Sequence, residues 1–145
     1  MARTLITPND KHAEPLNVGG FSITVLASEG DTDGYEIFHS VGTEGKGPGP
    51  HYHPWDESLY ITKGQVHCGV GEEEILASSG TLVHIPAGTT HWFRFGKGGG
   101  EFISMTSRGN ASKMFTAFSK GINWESPDRK ELVELAAKHG QMVID

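Results

Sequence analysis

The chain has 145 residues, 20 glycines, a single cysteine and a net charge of −6. That length suits one domain with a real hydrophobic core, and the acidic balance argues against nucleic acid or an anionic membrane surface as partner. Cys68 has no second cysteine to pair with, which points to a reducing cytoplasm and to a buried, inert thiol.

Residues 1–15 read as a polar arm that carries Pro8, Pro15 and His12. Such an arm either adds an edge strand to a partner subunit or frays. It lacks the apolar core of a signal peptide, and no apolar run elsewhere is long enough for a membrane span. Phe21–Ser28 (FSITVLAS) and Tyr35–Val41 (YEIFHSV) are expected strands, with a turn at Glu29–Gly34 between them. Gly42–Pro50 is a loop. Leu59–Thr62 is expected as a strand that turns at Lys63-Gly64 and returns as Gln65–Val70, which contains His67. Glu72–Glu74 reads as a solvated hairpin tip.

Ile75–Leu76 and Thr81–Ile85 follow as short strands, the second carrying His84. Trp92–Phe95 and Glu101–Thr106 are expected strands on either side of a flexible turn, Gly96–Gly100. Met114–Phe118 is read as the strand that completes the sheet. Residues 126–140 are a helix, with Ser126 as N-cap, Pro127 at the first helical position and Asp128 in the first turn. Leu132, Val133, Leu135 and Ala136 form its apolar stripe, and Gly140 stops it. The helix is expected outside the barrel and away from the chemistry, with His139 at the surface. Met142–Ile144 is expected to add a short edge strand. About ten short strands with turn signals between them describe an all-β protein, a double-sheet jelly roll with a short C-terminal helix.

The stretch GKGPGPHYHPWDESLYITKG, Gly45–Gly64, carries the chemistry. His51 and His53 lie two apart and share a face of an extended chain. Glu57 keeps that parity if the strand runs on. Imidazole and carboxylate together suit a borderline divalent ion such as Zn, Fe, Mn, Ni or Cu. The same pattern alone also describes a solvated polar strand.

A second stretch, GTLVHIPAGTTH, Gly80–His91, shifts that balance. With it the chain resembles the cupin superfamily. Gly45, His51, His53, Glu57 and Gly64 match the family's first motif, and Gly80, Pro86, Gly88 and His91 match its second. Phe95 departs, standing where the second motif ends in Asn, a position that is not a metal ligand. The resemblance implies a double-stranded β-helix, the cupin jelly-roll barrel, and a metal held by His51, His53, Glu57 and His91. It also implies a homodimer.

His39, His67 and His84 each lie on an expected strand. Any of them that faces inward would serve as a further nitrogen ligand or as a base beside the metal, and Glu57 would then be free to act as general base. Glu57, His67 and His84 are therefore the candidate catalytic residues. Tyr35, Tyr52, Trp55, Tyr60, Trp92, Phe93 and Phe95 cluster around the motifs, either as core or as walls of a pocket for a flat aromatic or polycarbonyl molecule.

HYHPWDESLYITKGQV, KMFTAFS and the terminal ELAAKHG look most like cupin cyclases of bacterial aromatic polyketide pathways and the quercetinase-like group beside them. The first implies a zinc-assisted aldol cyclisation of a poly-β-ketone in antibiotic biosynthesis. The second implies a metal-dependent dioxygenase. A non-catalytic small-molecule-binding cupin is the third alternative.

Overall fold

The structure, a computed structural model, describes residues 4–145. Residues 1–3 of the expected arm lie outside the described residues. A 3₁₀ turn at Asn9–Lys11 precedes β1 (Leu16–Val18), β2 (Phe21–Ala27), a short helix α1 (Glu29–Thr32) and β3 (Tyr35–Gly42). Then come β4 (His51–Tyr52), β5 (Glu57–Val70), β6 (Glu73–Ser78), β7 (Leu82–Ile85) and β8 (His91–Ser107). The chain closes with α2 (Ala111–Gly121), α3 (Arg129–Lys138) and β9 (Met142–Val143).

All the strand pairs are antiparallel, and they form one curled sheet, a β-barrel with short helices. β1, β2, β3 and β8 follow one another, and β8 continues into β4 and β9, while β5 pairs with β6, β7 and β8. Two long strands carry the architecture. β5 and β8 pair from Glu57 opposite Thr106 to Val70 opposite His91.

This corrects the expected turns at Lys63-Gly64 and Gly96–Gly100, neither of which reverses the chain. Gly64, Gly98 and Gly99 have φ of 70°, 81° and 82°, and the register between β5 and β8 slips twice beside them. A Cβ at Gly64 would stand 2.2 Å from the Gly99 carbonyl oxygen. The glycines let two paired strands bend together, so the sheet curls without ending.

Alternation sorts the side chains. Val66 and Cys68 point inward, and His67 between them is exposed. Phe38, Leu59, Ile61, Phe95 and Phe102 fill the interior, with edge-to-face contacts among Phe21, Phe93, Phe95 and Phe102. Burial pushes the Cys68 thiol up to about 11, helped by the nearby Glu57 carboxylate. The native protein is therefore expected to resist iodoacetamide at mildly alkaline pH and to react once unfolded. Rapid labelling of the folded protein, read by mass spectrometry, would contradict this.

Other expectations need correction. Met114–Phe118 is not a strand but the middle of α2, where Met114, Phe118 and Ile122 recur every four residues and face the core. The C-terminal helix starts later than expected. Asp128, not Ser126, is its N-cap, accepting from the backbone N–H of Lys130 at 2.9 Å and of Glu131 at 3.3 Å. Gly140, at φ 90°, follows its C-cap as expected. Glu29–Gly34 is not a plain turn, since Ser28 and Asp31 form a capping box that starts α1. No helix among the described residues is long and apolar enough to cross a membrane.

Candidate metal centre and its cavity

His51 lies on the two-residue strand β4, directly opposite His91 at the start of β8 and Val143 of β9. Pro54 ends that strand, so β4 does not run on to Glu57 as the parity argument assumed. His53 instead sits in the irregular link, where its carbonyl accepts from the Gly88 N–H at 2.8 Å. The chain re-enters the sheet at Glu57, the first residue of β5. The second motif's turn is thus fastened to the first motif's link.

His51, His53 and His91 are all buried, and one ring nitrogen from each lies within 4.8 Å of the others. Each Nδ1 faces a backbone carbonyl: His51 to Gly49 at 2.8 Å, His53 to Trp55 at 3.0 Å and His91 to Thr89 at 2.8 Å. A carbonyl only accepts, so each Nδ1 carries a proton and donates it. In the neutral rings this leaves three Nε2 lone pairs aimed at one another. Backbone bonds of this kind are how metal-binding imidazoles are oriented.

Glu57 Oε1 joins them, 3.2 Å from His53 Nε2 and 3.3 Å from His91 Nε2. The second contact is too poorly aligned to satisfy His91 Nε2, which is buried without a hydrogen-bond partner. Lone pairs facing a carboxylate oxygen need a shared proton or a cation between them. Two ligands bonded at about 2.1 Å and roughly 90–110° apart on one ion stand about 3.0–3.4 Å from each other, which is the spacing of Glu57 Oε1 from His53 and His91, while the three imidazole nitrogens lie within 4.8 Å of one another. The donor set therefore fits a divalent transition metal.

The electrostatics agree. Burial alone would raise the Glu57 carboxyl, but the facing rings of His53 and His91 outweigh it and hold the group well below the usual carboxylate range. His51 falls from 6.5 to about 4, chiefly through burial and then through repulsion from His91. The unfolded chain takes up a proton near 6.5 that the folded chain refuses until about 4. Metal-free protein is thus expected to hold its full stability from this group above about pH 6.5 and to lose it as the pH falls towards 4. Urea midpoints would be lower near pH 5 than near pH 7.5, and equal midpoints would contradict the assignment.

The other histidines stay outside. His67 is exposed on the outer face of β5. His84 is exposed on β7 between buried Val83 and Ile85, with Nδ1 2.8 Å from Ser58 Oγ. Period-two alternation turns both away from the interior, so neither reaches the cluster as the base or ligand expected of it. His39 points outward too, with Nε2 3.0 Å from Glu101 Oε1. His139 Nδ1 is 3.0 Å from the Leu135 carbonyl.

Beside the cluster lies a cavity of about 290 Å³. Trp55 lines it, stacked on His53 with ring centres 4.3 Å apart and planes 8° from parallel. Gly109 makes room for that ring, since a Cβ there would stand 2.5 Å from it. Phe93 also lines the cavity, whereas Trp92 lies over Gly69 on the other face. Tyr35, Tyr52 and Tyr60 are exposed.

Met114, Phe115 and Phe118 of α2 and Arg129 and Leu132 of α3 also reach the cavity. Both helices roof the chemistry, against the expectation that the terminal helix lies apart from it. Sequence reasoning missed this roof. The four-residue recurrence in KMFTAFSKGI was the available signal.

Residues 38–103 match the family described as Cupin domain. Over 72 residues, 48% of its length, the chain is 32% identical to quercetin 2,3-dioxygenase of Bacillus subtilis, and it spans 21% of that relative. Among solved structures it is similar to KdgF from Halomonas sp., with a TM-score of 0.65 at 19% identity over 72% of this chain and 94% of that one. A predicted oxalate decarboxylase from Thermotoga maritima gives 0.63 at 17% identity over 71% and 98%.

Proposed function

The chain is a member of the cupin superfamily, and from that premise we propose that it is a metal-dependent enzyme acting on a small, flat, oxygen-rich molecule. The reaction we assign is aldol-type cyclisation and aromatisation of a poly-β-ketone. One observation carries the metal-dependent part of this reading: imidazoles pinned at Nδ1 turn their Nε2 atoms together, with Glu57 against two of them, beside a largely apolar cavity.

His51, His53, His91 and Glu57 would hold the ion. Bound there, it would supply a Lewis acid towards a substrate carbonyl oxygen, and zinc is favoured because ring closure needs no redox step. Fe, Mn, Ni or Cu suit the same donors. Glu57, ionised at neutral pH, would ligate or accept the proton from a carbon flanked by two carbonyls. That carbon bonds to a second carbonyl carbon further along the chain, whose oxygen takes up the released proton and becomes a hydroxyl. The attacking carbon's second proton then leaves together with that hydroxyl as water, and a double bond forms. Phe21, Phe93, Phe102 and Phe118 wall the cavity and would fold a flexible ketone chain into one reactive shape.

Flavonol-type dioxygenation is the second reading, supported by the 32% identity to quercetin 2,3-dioxygenase. The two separate on oxygen. Metal-loaded protein given a synthetic poly-β-ketone is expected to yield an aromatic product that has lost water, with no oxygen consumed. Oxygen uptake in step with loss of a flavonol would establish the second reading instead. Neither reaction in protein with its metal bound would sink both and leave a small-molecule-binding module.

A further inference from the structure

Two hydroxyls interrupt the apolar wall of the cavity. Ser40 and Ser104 are 3% and 4% exposed, both line the cavity, and neither hydroxyl has a hydrogen-bond partner among the described residues. Thr106 Oγ1 is also buried and unpartnered, but it does not line the cavity. An inward hydroxyl on an otherwise apolar wall is a point of polar contact for whatever fills the cavity.

Their placement is ordered. Ser40 of β3 lies opposite Phe102 of β8, and Ser104 lies opposite Phe38 of β3. The serines are therefore diagonal neighbours on one inward face, roughly 7 Å apart or less. On the other side, Ser104 lies opposite Leu59 of β5, while Glu57 lies opposite Thr106. Ser104 is thus also diagonal to Glu57. Glu57, Ser104 and Ser40 form a line of oxygen-bearing side chains across three adjacent strands. Phe21, Ile23 and Phe102 surround it.

We propose that Ser104 and Ser40 form an oxygen-reading subsite that extends the metal centre along the cavity wall. Its ligand is a flat molecule with oxygens repeated along one edge: one at the His cluster, the next at Ser104, the third at Ser40. A serine hydroxyl both donates and accepts, so carbonyls and phenols serve equally. The assignment rests on the metal-centre reading, because that centre anchors the first oxygen.

Two probes test it: unsubstituted flavonol, which carries only the chelating hydroxy-ketone pair, and quercetin, which adds ring hydroxyls. Binding is read anaerobically by quenching of tryptophan fluorescence, with Trp55 and Trp124 lining the cavity. Metal content is measured in parallel. Ser104→Ala and Ser40→Ala are each expected to weaken quercetin about tenfold and flavonol less than about twofold. Metal content and melting temperature should not fall, since neither hydroxyl is bonded to another described residue.

Equal effects on both probes, no effect on either, or no binding of quercetin by the wild-type protein would overturn the subsite. Failure of the metal centre looks different. There, protein stripped with chelator would bind both flavonols as tightly as the loaded form, while the serine variants would still lose quercetin selectively.

Discussion

Replacing His91 by alanine is expected to abolish metal binding while leaving the barrel folded. His91 stands opposite His51 across the β4–β8 pair, and its Nε2 is buried 3.3 Å from Glu57 Oε1. No other histidine is placed to substitute, because His39, His67 and His84 all turn outward. Changing a group that merely orients a ligand costs about 10–100-fold in metal affinity, so losing a ligand outright should cost at least about 100-fold. Turnover should vanish with the metal.

The fold has separate support. Phe38, Leu59, Phe95 and Phe102 are buried core residues outside the histidine cluster, so the change in stability should stay within about 2 kcal/mol. His67→Ala and His84→Ala are the matched controls and should keep both metal and turnover. Elemental analysis of the three variants beside their urea midpoints checks the set. Full metal content in His91→Ala would contradict the assignment.

Glu36→Ala is expected to be the most destabilising change at a polar position, by about 3 kcal/mol. Glu36 is 0% exposed on β3, and its carboxyl oxygens accept from three groups. These are the Ser112 N–H at 2.9 Å, the Ser112 hydroxyl at 2.5 Å and the Glu29 N–H at 2.9 Å. Asn110, the N-cap of α2, makes no side-chain cap. Strand β3 therefore supplies the acceptor at the start of this helix, where N–H groups lack partners and negative charge is favoured.

Alanine would leave those donors buried and unpaired and open a void beneath the helix that roofs the cavity. The melting temperature should fall roughly 6–12 °C, with metal content unchanged. Glu36→Gln, which keeps one acceptor oxygen, should fall less. A shift in Glu36→Ala within about 2 °C would mean that the helix is anchored by its apolar face alone.

What could be read from the sequence divides along a physical line. Fixed spacing around turns is local information, and the motif residues His51, His53, Glu57 and His91 are the ones the structure brings together. The reason differs for Glu57: it arrives through a break at Pro54 and re-entry of the chain, not by continuing one strand.

Glycine in a strand-like stretch suggests a turn, and at Gly64 and Gly98–Gly99 it marks instead a bend in two strands that continue. Whether Gly64 bends a strand or ends it depends on Gly99 and Gly100 in the partner strand, which local sequence does not report. MFTAF is short and apolar, and a run that brief does not separate helix from strand by period. Its place over the cavity is set by Glu36, 76 residues away from Ser112. The inward facing of Ser40 and Ser104 follows from register, and register follows from pairings that only the folded sheet displays.

The central claim is that His51, His53, His91 and Glu57 surround one divalent ion inside the barrel. X-ray absorption at the metal edge, on purified protein whose metal content has been measured, tests it most directly. The account predicts about one ion per chain, with imidazole nitrogens and an oxygen at about 2.0–2.2 Å. Purified protein that takes up no metal, or a bound metal whose spectrum lacks imidazole scattering, would contradict it.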